Sequence, residues 1–191
     1  FVYKPPTEWI PPDSFPTEKL CQAKEIAIDL ETRDPNLKEL GPGYIRGDGE
    51  VVGISFAIDG YEDYFPFAHE QGFNFSKKKV IEFTKKICAT ESDKIFHNST
   101  YDVGWLTKEG VDINGRIIDT MVVAPLIDEN QYWYSLNALG REYINEGKTE
   151  AELNAAAEEW GLDPKAEMWR LPSAYVGTYA TQDAALTLKL W

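Results

Sequence analysis

Residues 25 to 32 read EIAIDLET, in which Ile26, Ile28 and Leu30 alternate with Ala27, Asp29 and Glu31. Alternation of this kind predicts a β-strand with one apolar face. It also puts two carboxylates together on the opposite face. A Gly- and Pro-rich stretch, DPNLKELGPGYIRGDG, follows and predicts a long loop excursion. GEVVGISFAIDGYEDYFPFAH then reads as two strands rich in Val, Ile, Phe and Tyr, joined by a turn at Asp59-Gly60. The chain therefore opens on three antiparallel strands.

The period changes at SKKKVIEFTKKICA, where Val80, Ile81, Phe83, Thr84 and Ile87 fall at helical spacing, with Ser76 placed as N-cap and the lysines as a solvated face. KIFHNS predicts a short strand. STYDVGWLTKEG predicts a helix capped by Ser99 or Thr100 and stopped by Gly110. RIIDT reads as a further strand or a helix entry. The remainder is mostly helical: MVVAPLID, SLNALGREYI, TEAELNAAAEEWG with a capping box Thr149…Glu152, and SAYVGTYATQDAALTLKLW. Three strands followed by helices interleaved with two short strands predict an α/β layer in which helices flank a mixed sheet.

Ahead of this pattern, FVYKPPTEWIPPDSFP holds five of the eleven prolines, each of which removes a backbone donor and favours extended geometry. Residues 1–24 are expected to form a linker or surface-hugging arm, and residues 25–191 one domain. With 191 residues and 43% hydrophobic content the chain can bury a sizeable core. No apolar run approaches a membrane span and no secretory leader opens the chain, so a cytoplasmic protein without membrane contact is expected. Cys21 and Cys88 lack CxxC or Cys/His spacing, which excludes a disulfide framework and a zinc site. The absence of an initiator Met and the ending at Trp191 inside a helical pattern predict a piece of a longer polypeptide.

Charge narrows the picture further. A net charge of −13 argues against gripping many phosphates, since such proteins present basic surfaces. It leaves room for a site that touches a few nucleotides and brings its own cations.

Candidate chemistry rests on carboxylates in buried-looking positions. On the last predicted helix Val176, Tyr179, Ala180, Asp183, Ala184 and Thr187 share one face. Asp183 is out of place in that stripe unless it is protonated, hydrogen-bonded or metal-bound. Asp102, next to Tyr101 at a helix start, poses the same question. Each acid has a plainer alternative: Asp102 as a first-turn acid favoured by the helix dipole, Asp29 and Glu31 as a solvated strand end, Asp183 as a helix-surface acid. If they share one site, oxygen ligands without His or Cys select Mg²⁺ or Mn²⁺. Two such ions, about 3.5–4 Å apart, can activate water and stabilise the leaving oxygen of a phosphodiester.

Three motifs resemble those of the DEDD 3′→5′ exonucleases in their Tyr-bearing subclass. D-x-E matches Asp29-Leu30-Glu31; N-x-x-x-D with a Tyr before the acid matches Asn98-Ser-Thr-Tyr101-Asp102; Y-x-x-x-D matches Tyr179-Ala-Thr-Gln-Asp183. They occur in the family's order. Within it, VVGISFA, YFPFAH, IIDTMVVAPLI, YSLNALGREYI and YATQDAALTLKLW are similar to segments of the proofreading domain of family A (DNA polymerase I-like) polymerases, phage ones in particular.

The resemblance implies an RNase H-like mixed β-sheet flanked by helices, and two divalent ions, Mg²⁺ or Mn²⁺. It implies that Asp29, Glu31 and Asp183 hold the ion that activates water, that Asp29 and Asp102 hold the second, and that Tyr179 orients the water. Asn98 and Tyr101 match positions lining the terminal-nucleotide pocket. The implied substrate is a single-stranded DNA 3′ end, and the implied partner a polymerase domain C-terminal to Trp191, in a bacterial host cell if phage-encoded. Two departures stand out: the loop 34–48 looks longer than in bacterial members, and TEAELNAAAEEWGLDPKAEMWRLP does not align cleanly. Strand-gripping aromatics there are left open, with Trp169 or Tyr132-Trp133-Tyr134 as substitutes. Two other readings stay in view: an RNase D-like 3′→5′ exoribonuclease, and a non-catalytic domain that keeps the fold.

Overall fold

The computed structural model describes residues 7–191, so the first six residues of the proline-rich arm lie outside the described residues. In chain order the elements are α1 (Thr17–Cys21), β1 (Glu25–Arg33), α2 (Leu37–Leu40), α3 (Gly43–Arg46), β2 (Glu50–Ile58), β3 (Tyr61–Pro66) and α4 (Lys77–Cys88). They continue with β4 (Asp93–Phe96), α5 (Ser99–Lys108), β5 (Ile117–Asp119), α6 (Thr120–Ile127), α7 (Leu136–Ile144), α8 (Ala151–Trp160), two 3-10 turns (Met168–Arg170 and Ser173–Tyr175) and α9 (Gly177–Leu190).

The alternating stretch becomes β1, the centre of a five-stranded sheet ordered β3-β2-β1-β4-β5. β2 and β3 pair antiparallel across the tight turn at Asp59-Gly60 and β1 pairs antiparallel with β2, whereas β4 and β5 add on parallel to β1. This is the mixed sheet with flanking helices that the element order predicts, in the RNase H-like arrangement that the resemblance implies.

Each face of β1 does different work. Ile26, Ile28 and Leu30 point into a large apolar core with Phe56 of β2, Val80, Phe83 and Ile87 of α4, and Trp105 and Leu106 of α5. A fully buried side chain of this size contributes about 1.5–3 kcal/mol, which makes this face the main source of stability. Residues ahead of Glu25 join it: Leu20 is fully buried, and Phe15 packs 5.5 Å from Phe65 and 5.0 Å from Phe83, ring centre to ring centre. The opposite face is thin. Ala27, Ala57 and Ile95 meet Ala184 of α9 there, and these small side chains let the helix lie close to the sheet.

Several local expectations are corrected. Ser76 stands at the N-cap of α4, but its hydroxyl makes no capping bond. The capping box Thr149…Glu152 does not form; α8 starts after Glu150, and the Glu152 carboxylate instead accepts from the hydroxyls of Thr7 and Thr178. Neither Ser99 nor Thr100 caps α5: Asn98 is its N-cap, in the left-handed region at φ 76°. The last helix begins only at Gly177, where any Cβ would lie 2.0 Å from the Trp9 indole. Inside the long 34–48 loop sit two single-turn helices, α2 and α3. None of the described helices is long and apolar enough to cross a membrane.

Candidate active site

Sheet topology opens the site. The parallel ladder between β1 and β4 ends at Ala27 opposite Ile95, while β1 runs on to Arg33 along β2. Past that point β1 is no longer paired with β4, at the carboxyl ends of the parallel strands, the usual ligand position in such sheets. Asp29 and Glu31 stand on the α9 side of this stretch, opposite Ser55 and Gly53. Gly53 is required there, because a Cβ would come within 2.2 Å of the Tyr64 hydroxyl, whose ring crosses this position.

α9 delivers the next groups. Tyr179 and Asp183 are one turn apart, 8% and 4% exposed, on the stripe that faces the sheet. From the far side, β4 turns through Asn98 into α5, and the Asp119 carboxylate at the end of β5 accepts the Asn98 and Ser99 N–H groups at 3.0 and 2.6 Å. That capping fixes the first turn of α5, where Asp102 is 4% exposed.

Ligand oxygens of Asp29, Glu31 and Asp183 lie within 4.8 Å of one another. Asp102 stands outside that trio, yet near enough for the charges of Asp29 and Glu31 to act on it. Burial and the Asp183 charge push the Asp29 carboxyl up to about 8. Glu31 is raised as well, first by burial and then by Asp29 and Asp183. Burial also raises Asp102 and Asp183, the latter opposed by Lys148. The Tyr179 hydroxyl, raised by burial and by Glu31, keeps its proton at neutral pH.

Asn98 and Tyr101 lie beside this cluster rather than in it. Both line an open cavity of about 420 Å³ with Leu37, Pro42 and Thr100. The Tyr101 hydroxyl donates to Asp34 at 3.0 Å and lies 2.8 Å from the Thr32 hydroxyl, tying the long loop to α5. Of the substitute platforms, Trp169 is already covered by the Arg33 guanidinium, 4.6 Å from its ring centre, while Tyr132 and Trp133 are 94% and 75% exposed.

Sequence reading missed two features. Lys148, on the connection between α7 and α8, ion-pairs with Asp183 and donates to the Tyr179 hydroxyl at 3.2 Å. No spacing rule singles out a lysine in a loop. Behind the acids, the Tyr64 hydroxyl meets His69 Nε2 at 2.8 Å, and His69 Nδ1 lies 3.0 Å from the Leu171 carbonyl. A carbonyl only accepts, so Nδ1 carries the proton and Nε2 accepts from Tyr64.

Burial holds the His69 imidazole down at about 4, against carbonyls of Leu171 and Met168 that pull the other way. The unfolded chain takes up this proton near pH 6.5, the folded chain only near pH 4, so stability present above 6.5 is lost as pH falls through that window. The loss amounts to about 3 kcal/mol at 1.36 kcal/mol per unit. The buried acids act with the opposite sign in this range, so the readout is a comparison of urea midpoints at pH 7 and pH 4.5 in wild type and His69→Gln. An identical pH response in both proteins would remove His69 as its source.

An oxygen-only donor set suits a hard divalent cation, and the buried Asp183 Oδ1, which has no hydrogen-bond partner, fits that role. Fold and carboxylate cluster together define a nuclease of the RNase H-like class. A family model described as 3′-5′ exonuclease, of the DNA polymerase A type, matches residues 16–191, and the chain belongs to that family. A DNA-directed DNA polymerase of Pseudomonas phage M6 is 38% identical over 189 residues, covering 96% of this chain and 28% of the phage protein. The chain thus spans under a third of that relative's length. Trypanosoma brucei RNase D superposes with a TM-score of 0.66 at 18% identity, covering 91% of this chain and 58% of that one. Brucella melitensis NrnC with bound Mg²⁺ gives 0.60 at 19%, covering 92% and 73%. At these identities the two structures speak for the fold alone. Exonucleases of this family use divalent metal ions.

Proposed function

We propose that residues 25–191 form a proofreading-type exonuclease domain, with 1–24 as its N-terminal arm, that removes nucleoside monophosphates from single-stranded DNA 3′ ends. It would serve a family A polymerase domain on the same polypeptide, in the cytoplasm of a phage's bacterial host. The observation that carries this reading is the convergence of Asp29, Glu31 and Asp183 from a strand and a distant helix, with Asp102 facing them and Tyr179 one turn from Asp183.

Asp29, Glu31, Asp102 and Asp183 would hold two divalent ions, Mg²⁺ or Mn²⁺, which supply the positive charge that makes water nucleophilic and neutralises the leaving 3′ oxygen. The chain's own groups do the rest. Tyr179, protonated at neutral pH, can orient a water by hydrogen bonding. Asn98 and Tyr101 line a cavity large enough for a terminal nucleotide. No covalent intermediate is needed. With a charge of −13 the domain is suited to touching a few nucleotides and leaving the duplex to a neighbour.

Matched single-stranded DNA and RNA oligomers labelled at the 5′ end test the reading, in Mg²⁺, Mn²⁺ and EDTA. Stepwise shortening of DNA from the 3′ end is expected with either ion and none in EDTA. Faster turnover of RNA would point to the RNase D-like alternative, and no turnover of either to a non-catalytic domain.

A further inference from the structure

Lys148 is delivered to the acids by a backbone stapled on both sides. Its N–H donates to Asn137 Oδ1 of α7 at 3.0 Å, the Thr149 N–H donates to Gln182 Oε1 of α9 at 2.6 Å, and Gln182 Nε2 donates to the Gly147 carbonyl at 3.2 Å. Only the four-carbon stem is free to move. Its ammonium ion-pairs with Asp183, donates to the Tyr179 hydroxyl at 3.2 Å and sits 5.0 Å from the Tyr179 ring centre. The side chain is 17% exposed, that of Asp183 only 5%. Among the described residues no other cation pairs with Asp29, Glu31 or Asp183.

Ionised carboxyls this close repel one another, and the positive charge among them here is a lysine's. The same carboxylate cannot serve an ammonium and a divalent ion equally well, because the two cations repel at such range. A lysine, a compact point charge on a flexible stem, is the side chain suited to withdraw without disturbing its backbone.

We propose that Lys148 is a tethered placeholder cation: it keeps Asp29, Glu31, Asp183 and the Tyr179 hydroxyl assembled without divalent metal, and gives Asp183 up when metal loads. The inference rests on the metal-site reading above. Metal loading is then an exchange of cations within a formed site. The lysine lowers metal affinity in return for order in the metal-free protein.

Calorimetric titration with Mn²⁺ at pH 8 tests this without any turnover. Lys148→Met, neutral and of similar length, is expected to bind Mn²⁺ about tenfold more tightly than wild type, since a competing unit charge has been removed. Should Lys148→Met fail to fold, wild type alone gives the answer by pulse acetylation read by mass spectrometry. Lys148 should react slowly in EDTA and several-fold faster in saturating Mn²⁺, with exposed Lys79 as the unchanging control. Unaltered or weaker Mn²⁺ binding by Lys148→Met, or Lys148 reactivity that Mn²⁺ leaves level or lowers, overturns the placeholder role. If wild type itself binds no Mn²⁺, the metal-site reading falls and this one with it; if wild type binds and Asp183→Asn does not, that reading stands whichever way the lysine result goes.

Discussion

Asp183→Asn is expected to cut hydrolysis of a single-stranded DNA 3′ end by more than about 100-fold, because even residues that merely support a metal ligand cost 10–100-fold when removed. The geometry makes the prediction specific. Of the two Asp183 oxygens, Oδ2 is engaged by Lys148 and Oδ1 is buried without a partner. Asn keeps an acceptor for the lysine but discards the charge a divalent ion needs. Removing an acid from a crowded carboxylate cluster also relieves repulsion, so the melting midpoint in EDTA should fall little if at all. Tyr179→Phe should cost less, since every acid remains. Single-turnover rates on a labelled oligomer measure both, and a near-wild-type rate for Asp183→Asn would remove Asp183 from the chemistry.

The largest stability effect is expected at Trp105. Fully buried on α5, it meets the rings of Tyr44 at 5.8 Å and Tyr101 at 6.3 Å, and it faces the Ile28 side of β1. Trp105→Ala should lose about 3–5 kcal/mol, a sizeable part of the roughly 5–15 kcal/mol that holds a domain together. Activity should drop as well, because Asp102 lies three residues earlier on the same helix and the cavity frees α5 to shift. Urea unfolding gives the stability loss; a change under about 1 kcal/mol would show that the site collapses around the gap without strain.

The parts of this molecule that repeat were legible in its sequence. Alternation at Ile26, Ile28 and Leu30 and the three-four spacing from Val176 to Thr187 reach the burial they predict, because strand and helix periods depend only on local backbone geometry. Asp29, Glu31 and Asp183 follow, since a carboxylate on a buried stripe is conspicuous. Asp102 was ambiguous, as a first-turn acid is ordinary. What could not be read is tertiary: Lys148 in an irregular connection, Asp119 capping a helix 20 residues upstream, His69 locked to a carbonyl 102 residues away. The capping box failed for the same reason. Thr149 and Glu152 have the right spacing, but Gln182 takes the Thr149 N–H and two distant threonines take the carboxylate.

The alanine layer beneath α9 acts as a ruler. Ala27, Ala57 and Ala184 are buried, and their methyl groups set how far the helix stands off the sheet, and hence how far Asp183 stands from Asp29 and Glu31. A larger residue at any of them would lengthen a distance in the active site while leaving every chemical group in place. Evolution can therefore retune the spacing of this cluster from positions that resemble ordinary interior filler.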